Sequence, residues 1–175
     1  EVAVVAAGRD MHELRDEAPA VTWVFDPDTF APMVKVEGHG TAAEKRWAVV
    51  TDHLGAPIAM VDEVGKLAWK AQLDVFGVVT TDIAKTACPW RWPGQYEDEE
   101  TGLFYNRFRY YDPGAGRYVS PDPIGLSGGL AAFGYVADPW IWFDPFGLSK
   151  CGPGGFKEGV TADEIRGINH VFGGT

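Results

Sequence analysis

The chain has 175 residues, which is enough for one domain, or for one domain and part of another. Its net charge of −10 argues against a nucleic-acid-binding surface, and no run of about 18 apolar residues predicts a membrane span. The two cysteines, Cys88 and Cys151, lack a CxxC partner, and none of the four histidines has ligand spacing. We therefore predict no metal and no cofactor.

The chain is rich in turn-forming and aromatic residues, with 22 Gly, 12 Pro, 10 Phe, 7 Trp and 6 Tyr. Strand-sized segments with aromatic and polar alternation recur every ~8–12 residues, and each runs into a turn. These segments are 47–57, 58–66, 67–77, 104–116 and 117–120. The pattern predicts a mainly β fold of antiparallel hairpins through about residue 120. Irregular turns holding an aromatic plug are expected at 126–146.

Two nearly identical pentapeptides, Asp122–Leu126 and Asp144–Leu148, stand 22 positions apart. Each places a carboxylate directly before a proline and ends in Gly-Leu. Two carboxylates in matched turns are a possible acid/base pair for hydrolysis, in which one is ionised and the other protonated. The alternative is that both aspartates only initiate turns, as Asp-Pro steps often do. The residues alone favour the turn interpretation.

The composition changes abruptly after Leu148. Gly and Pro dominate a linker at 149–159, and Thr161–Glu164 forms a capping box ahead of apolar residues at helical spacing. We therefore divide the chain into a β domain, 1–148, and the start of an α-containing domain, 149–175. Because the first residue is Glu1 rather than Met, we expect the chain to be cut from a longer polypeptide.

Several longer motifs occur in a fixed order between Trp47 and Leu148. They are Thr51–Pro57, Pro93–Leu103, Tyr105–Pro113, Gly116–Tyr118 and the two Asp-Pro pentapeptides. Through these motifs the chain resembles the C-terminal core of Rhs/YD-repeat proteins, which include Rhs toxin effectors and the C components of Tc toxins. The resemblance implies that the repeats form part of a hollow β-cage, with an inward C-terminal plug.

The resemblance also implies an intramolecular aspartyl protease that cuts after the second pentapeptide, at Leu148–Ser149. Asp122 and Asp144 would be its catalytic pair, and Arg109 matches an arginine that assists cleavage. From the residues alone, Arg109 is as well explained as a strand cation paired with Glu99 or Glu100. A non-cleaving structural or adhesive shell is the alternative function.

Two further aspartates and the tail each allow more than one interpretation. Asp112 is a reserve candidate for the acid pair, and Asp138 is expected to be a turn residue. Gly159–Ile165 and Asn169 resemble the opening helix of Fic/Doc-type toxins, without that family's catalytic histidine motif. The tail therefore does not indicate its own activity.

The resemblance implies several partners and a cellular route. The partners are the preceding N-terminal Rhs repeats, the C-terminal toxin, a secretion-apparatus component or chaperone, and a cognate immunity protein. The protein would be made in the bacterial cytoplasm and delivered outside the cell or into a target cell. The secretion route and the toxin's target stay open.

Overall fold

The computed structural model describes residues 2–7, 10–15, 20–26 and 29–148. The linker, the capping box and Ser149, all predicted from the sequence, lie outside these residues. The strands are β1 Val2–Ala7, β2 Asp10–Arg15, β3 Val21–Phe25, β4 Pro32–Glu37, β5 Lys45–Thr51, β6 Pro57–Val61, β7 Leu67–Leu73, β8 Val79–Ala84, β9 Tyr96–Glu97, β10 Phe104–Asn106, β11 Arg109–Asp112 and β12 Arg117–Tyr118. A single 3₁₀ turn, Gly125–Gly128, is the only helical element within the described part of the chain, which therefore contains no helix long and apolar enough to cross a membrane.

The strands form two antiparallel sheets in which neighbours in the sheet are neighbours in the chain. One sheet has eight strands in the order β1 to β8, and the other has four in the order β9 to β12. The predicted mainly β fold of consecutive hairpins is confirmed, and the last strand ends at Tyr118. The closed cage and the inward plug stay predictions.

The repeated turns of the large sheet share one hydrogen-bonding pattern. Asp52, Asp62 and Asp74 each accept, through Oδ1, the amide four residues further on, at 2.8–2.9 Å. In each turn the glycine three residues after the aspartate has a positive φ, between 79° and 99°. An aspartate that satisfies turn amides and a glycine that tolerates this backbone explain why the sequence pattern recurs.

Aromatic side chains connect the two sheets. Trp23 and Trp69 of the large sheet belong to one buried cluster with Trp90, which precedes β9. Trp92 packs in a second cluster with Phe143, from the segment that follows β12. The core therefore extends from the repeat sheet to the second Asp-Pro pentapeptide.

The second pentapeptide is tightly enclosed, and residues 143–148 are all buried. A Cβ added at Gly94 would overlap the carbonyl oxygen of Pro145, and one added at Gly147 would lie 2.7 Å from the carbonyl oxygen of Asn106. Both glycines have positive φ. The segment is thus held between the 92–95 turn and the β10–β11 hairpin, and only glycine fits at the two contacts.

Candidate active site

Arg109, at the start of β11, contacts both predicted aspartates. Its Nη2 lies 3.1 Å from Asp122 Oδ2 and 3.4 Å from Asp144 Oδ2, and all three side chains are at most 5% exposed. The structure therefore brings together the three residues predicted from the sequence. The alternative pairing of Arg109 with Glu99 or Glu100 is wrong, because both glutamates are exposed and the guanidinium is buried against the aspartates.

The remaining guanidinium donors of Arg109 bind backbone carbonyls of neighbouring segments. Nε donates to the carbonyl of Gly147 at 2.5 Å, and Nη1 donates to the carbonyl of Ala132 at 3.3 Å. The guanidinium carbon lies 3.7 Å from the centre of the Tyr118 ring. Arginine suits this position because its planar fork presents several donors at fixed angles and stacks on aromatic faces.

The Asp144 carboxyl group reaches the backbone of the predicted cleavage segment. Its Oδ1 accepts the amide of Leu148 at 3.0 Å, which is the same four-residue contact that the repeat turns make. The more distant amide of Phe146 also points to Oδ1, at 3.4 Å. Oδ2 accepts the hydroxyl of Tyr118 at 2.9 Å and faces Arg109. Each of these neighbours donates a hydrogen bond to the carboxyl group.

Hydrogen bonds with Ala132 and with the Ile124 amide position Asp122. Its backbone amide donates to the carbonyl of Ala132 at 2.8 Å, and its Oδ1 accepts the amide of Ile124 at 3.0 Å. Gly128 packs directly on its carboxyl group: an added Cβ would overlap Oδ2 and lie 2.8 Å from both Asp122 Cγ and the carbonyl oxygen of Leu148. Asp122 Cγ and the Leu148 oxygen therefore lie within twice that distance of each other.

The charges at this site do not balance when both aspartates are ionised. Two carboxylates and one guanidinium leave a net charge of −1 in a buried volume, where an uncompensated charge is costly. One proton on the pair makes the group neutral. A pair that holds a single proton is the arrangement that acid/base hydrolysis requires.

Tyr118 and Asn106 support Asp144 from the small sheet and were not among the predicted site residues. Burial, and then the charge of Asp144, raise the pKa of Tyr118 well above its ordinary value of 10, with Arg109 opposing. The hydroxyl therefore stays protonated and donates. Asn106 Nδ2 lies 2.8 Å from the Tyr118 hydroxyl and 2.7 Å from the carbonyl oxygen of Asp144. Both residues fall within motifs that define the family resemblance, but their residue types alone do not indicate this role.

The two other candidate aspartates, Asp112 and Asp138, accept turn amides. Asp112 Oδ1 accepts the amide of Gly114 at 2.8 Å, and Asp138 Oδ1 accepts the amide of Trp140 at 3.0 Å. Neither makes a described contact with Arg109. Asp138 therefore offers a natural control for Asp144, because both precede a proline and both cap a turn after β12.

Parts of this chain are similar to known proteins. The RHS protein family profile matches residues 49–83. The double-stranded DNA deaminase toxin A of Burkholderia cenocepacia is 38% identical over 159 residues, which are 81% of this chain and 11% of that protein. Toxin protein Tse5 of Pseudomonas aeruginosa is 48% identical over 99 residues, which are 56% of this chain and 8% of that protein.

A solved structure shows the same fold. The crystal structure of TcdB2-TccC3 without its hypervariable C-terminal region matches 84% of this chain and 8% of its own, with a TM-score of 0.68 and 22% identity. The fold is thus that of a Tc-toxin and Rhs shell segment. The predicted resemblance to Rhs/YD-repeat proteins is confirmed by the family profile, by these toxin relatives and by the shared fold. It spans about a tenth or less of the length of these similar proteins.

Proposed function

We propose that this chain is the core of a toxin effector that encloses a C-terminal toxin and releases it by hydrolysing its own Leu148–Ser149 bond. One observation carries the proposal: a buried aspartate pair, bridged by Arg109, lies beside Leu148. Asp144 accepts the Leu148 amide, and the Asp122 carboxyl group and the Leu148 carbonyl oxygen both pack against Gly128. Relatives whose names describe toxins support the toxin context.

The hydrogen bonds around the pair support one assignment of the two roles. Asp144 accepts hydrogen bonds from Arg109, Tyr118 and the Leu148 amide, and these donors favour the ionised form of a carboxyl group. We therefore assign the role of base to Asp144. Asp122 packs against Gly128 together with the Leu148 carbonyl oxygen, which can only accept a hydrogen bond. We therefore assign the role of acid, the donor to that oxygen, to Asp122.

The reaction then follows the logic of a two-carboxylate hydrolase. Asp144 removes a proton from a water molecule while the water oxygen bonds to the Leu148 carbonyl carbon, and Asp122 gives its proton to the carbonyl oxygen. The resulting gem-diol collapses: the C–N bond breaks, Asp144 returns its proton to the Ser149 nitrogen, and Asp122 recovers a proton from a diol hydroxyl. One water is consumed, leaving a carboxyl group on Leu148 and an amine on Ser149.

Arg109 supports this reaction in two ways. Its contact with both Oδ2 atoms stabilises the negative charge as that charge moves from one carboxyl group to the other, and its bond to the Gly147 carbonyl fixes the chain one residue before the cleaved peptide. The arginine thus couples the acid pair to the bond that the pair cleaves.

The test is the mass of the protein and its aspartate variants, expressed within the full reading frame. We expect a break after Leu148, and at least about a hundredfold slower release in Asp122→Asn and Asp144→Asn, because an amide cannot exchange the required proton. Asp138→Asn, which changes a turn aspartate of the same segment, should cleave normally. Folding of each variant is checked by its denaturation midpoint. Wild-type release from both folded site variants would refute the protease.

A non-cleaving shell is the second candidate function. It is favoured by one observation, since Asp122 Oδ1 and Asp144 Oδ1 both cap turns. An intact chain in the same mass measurement would establish this function instead.

The proposed route and partners follow from the toxin context. We place the preceding repeats and the C-terminal toxin as direct partners of this core, with a secretion-apparatus component or chaperone and an immunity protein as further ones. The effector is made in the bacterial cytoplasm and delivered outside it. Co-purification of the severed tail with the core would test the first of these partnerships.

A further inference from the structure

A directed chain of hydrogen bonds ends on Asp144. The carbonyl oxygen of Asp144 can only accept, so the Asn106 side-chain atom 2.7 Å away must be the nitrogen. The same nitrogen lies 2.8 Å from the Tyr118 oxygen, which therefore accepts a hydrogen bond there. The single proton of Tyr118 is left to point at Asp144 Oδ2, 2.9 Å away. Asn106 thus determines the direction in which Tyr118 donates.

The groups that face Asp144 come from four parts of the chain. Arg109 of β11 and Tyr118 of β12 face Oδ2, and Asp122 lies beyond the same guanidinium nitrogen. Tyr135, in the segment after the 3₁₀ turn, accepts the Asp144 amide at 3.4 Å. Tyr118 is therefore the neutral donor among these groups that directly contacts Oδ2. Its hydrogen bond favours the ionised over the protonated form of Asp144.

We infer that Tyr118 is a positioning residue for cleavage: its hydroxyl, directed by Asn106, keeps the Asp144 carboxyl group ionised so that it can accept a proton from water. The inference rests on the proposed function, since it acts through Asp144. It explains why a tyrosine, rather than a phenylalanine, fills this fully buried aromatic position. The ring packs in the core, and only the hydroxyl reaches the acid pair.

The experiment compares Tyr118→Phe with Tyr111→Phe in the full reading frame. Tyr111 is a matched control because it is buried in the same aromatic cluster and its hydroxyl donates to the Phe76 carbonyl, away from the acid pair. Translation in a cell-free system is stopped after a short labelling pulse. The mixture is then diluted into buffers between pH 4 and 9, and cleavage is followed on gels.

We expect Tyr118→Phe to move the acid limb of the rate profile upward by about one to two pH units, the effect of one hydrogen bond to a charged group. Below the limb its cleavage should be roughly ten- to a hundredfold slower than in the wild type, with the difference narrowing at higher pH. Tyr111→Phe should leave the limb in place. Asn106→Ser, which retains the Tyr118 hydroxyl but removes its directing donor, should shift the limb in the same direction by less.

The outcomes separate this inference from the proposed function. An unchanged limb in Tyr118→Phe, or an equal loss of rate at every pH, overturns the role of Tyr118 while Asp144→Asn still blocks cleavage. Wild-type cleavage by Asp144→Asn overturns the proposed function, and the inference with it. If Tyr118→Phe fails to fold, the Asn106→Ser profile decides, and an unshifted limb there overturns the inference.

Discussion

Gly128 offers the sharpest steric test of the proposed site, because it packs on both the Asp122 carboxyl group and the Leu148 carbonyl oxygen. A Cβ at this position would overlap Asp122 Oδ2 and lie 2.8 Å from the Leu148 carbonyl oxygen. The φ of Gly128 lies outside the positive region, so alanine fits the backbone here and only the space is wrong. The added methyl group in Gly128→Ala therefore clashes with both Asp122 and the Leu148 carbonyl oxygen.

The size of the effect follows from the geometry. Ordinary contacts of a Cβ lie between 3.4 and 4 Å, so the Leu148 oxygen and the Asp122 carboxyl group both have to retreat. For Asp122 Oδ2 the shift is roughly 1 Å, and a misplacement of that size in a reacting group costs about a hundredfold in rate. Overpacking should also cost about 1–3 kcal/mol of stability. We expect cleavage to slow at least a hundredfold while the fold persists.

The assay is the pulse-labelled cleavage reaction in the full reading frame, with the denaturation midpoint measured in parallel. Gly125→Ala is the control: it lies in the same 3₁₀ turn, has nothing within 4 Å of an added Cβ, and carries the backbone strain of a positive φ that Gly128 lacks. It should lower stability with little effect on cleavage. Equal cleavage rates for Gly128→Ala and wild type would refute the placement of Asp122 against Leu148.

Two further predictions address the arginine and the tyrosines. Arg109→Lys keeps the charge, but a lysine cannot contact both carboxylates and the Gly147 carbonyl at once. We therefore expect the cleavage rate to fall about a hundredfold. The control, Arg117→Lys at an exposed site of β12, should leave the cleavage rate unchanged. Comparable rates in the two variants would contradict the bridging role. Burial raises the pKa of Tyr118 and of Tyr111, so their stabilising contribution is complete below the ordinary value of 10 and is lost as pH rises further. The free energy of unfolding, from urea titrations between pH 8 and 12, should therefore fall less steeply in Tyr118→Phe than in wild type; parallel curves would show that Tyr118 does not contribute.

The hairpins were predictable because each repeat contains its own turn. Asp52, Asp62 and Asp74 reach amides only four residues away, so a local pattern specifies a local structure. The prediction of the site residues depended instead on matched motifs, because Arg109 and Asp144 are 35 positions apart in the sequence and no local pattern indicates their contact. Without the family resemblance, the residues alone favoured plain turns.

Other parts of the site depend on packing that no local pattern encodes. Asn106 and Tyr118 sit in different strands of the small sheet, and their contact with Asp144 requires the pentapeptide to lie across that sheet. Gly128 is one glycine among 22, and its role follows only from what lies next to it. The role of such residues can be recognised only when the three-dimensional structure brings the two Asp-Pro pentapeptides together.

The turn role and the chemical role of the aspartates are compatible, because each carboxyl group has two oxygens. In Asp144, Oδ1 makes the turn contact that Asp62 and Asp74 also make, while Oδ2 faces Arg109. Asp122 divides its oxygens in the same way, with Oδ1 on a turn amide and Oδ2 on the arginine. In the exposed Asp62 and Asp74 turns no comparable arginine contact is described. In the proposed mechanism, a repeat turn that is buried beside a cation keeps one carboxyl oxygen for the turn and has the other for the reaction, and the turn holds that carboxyl group beside the backbone to be cleaved.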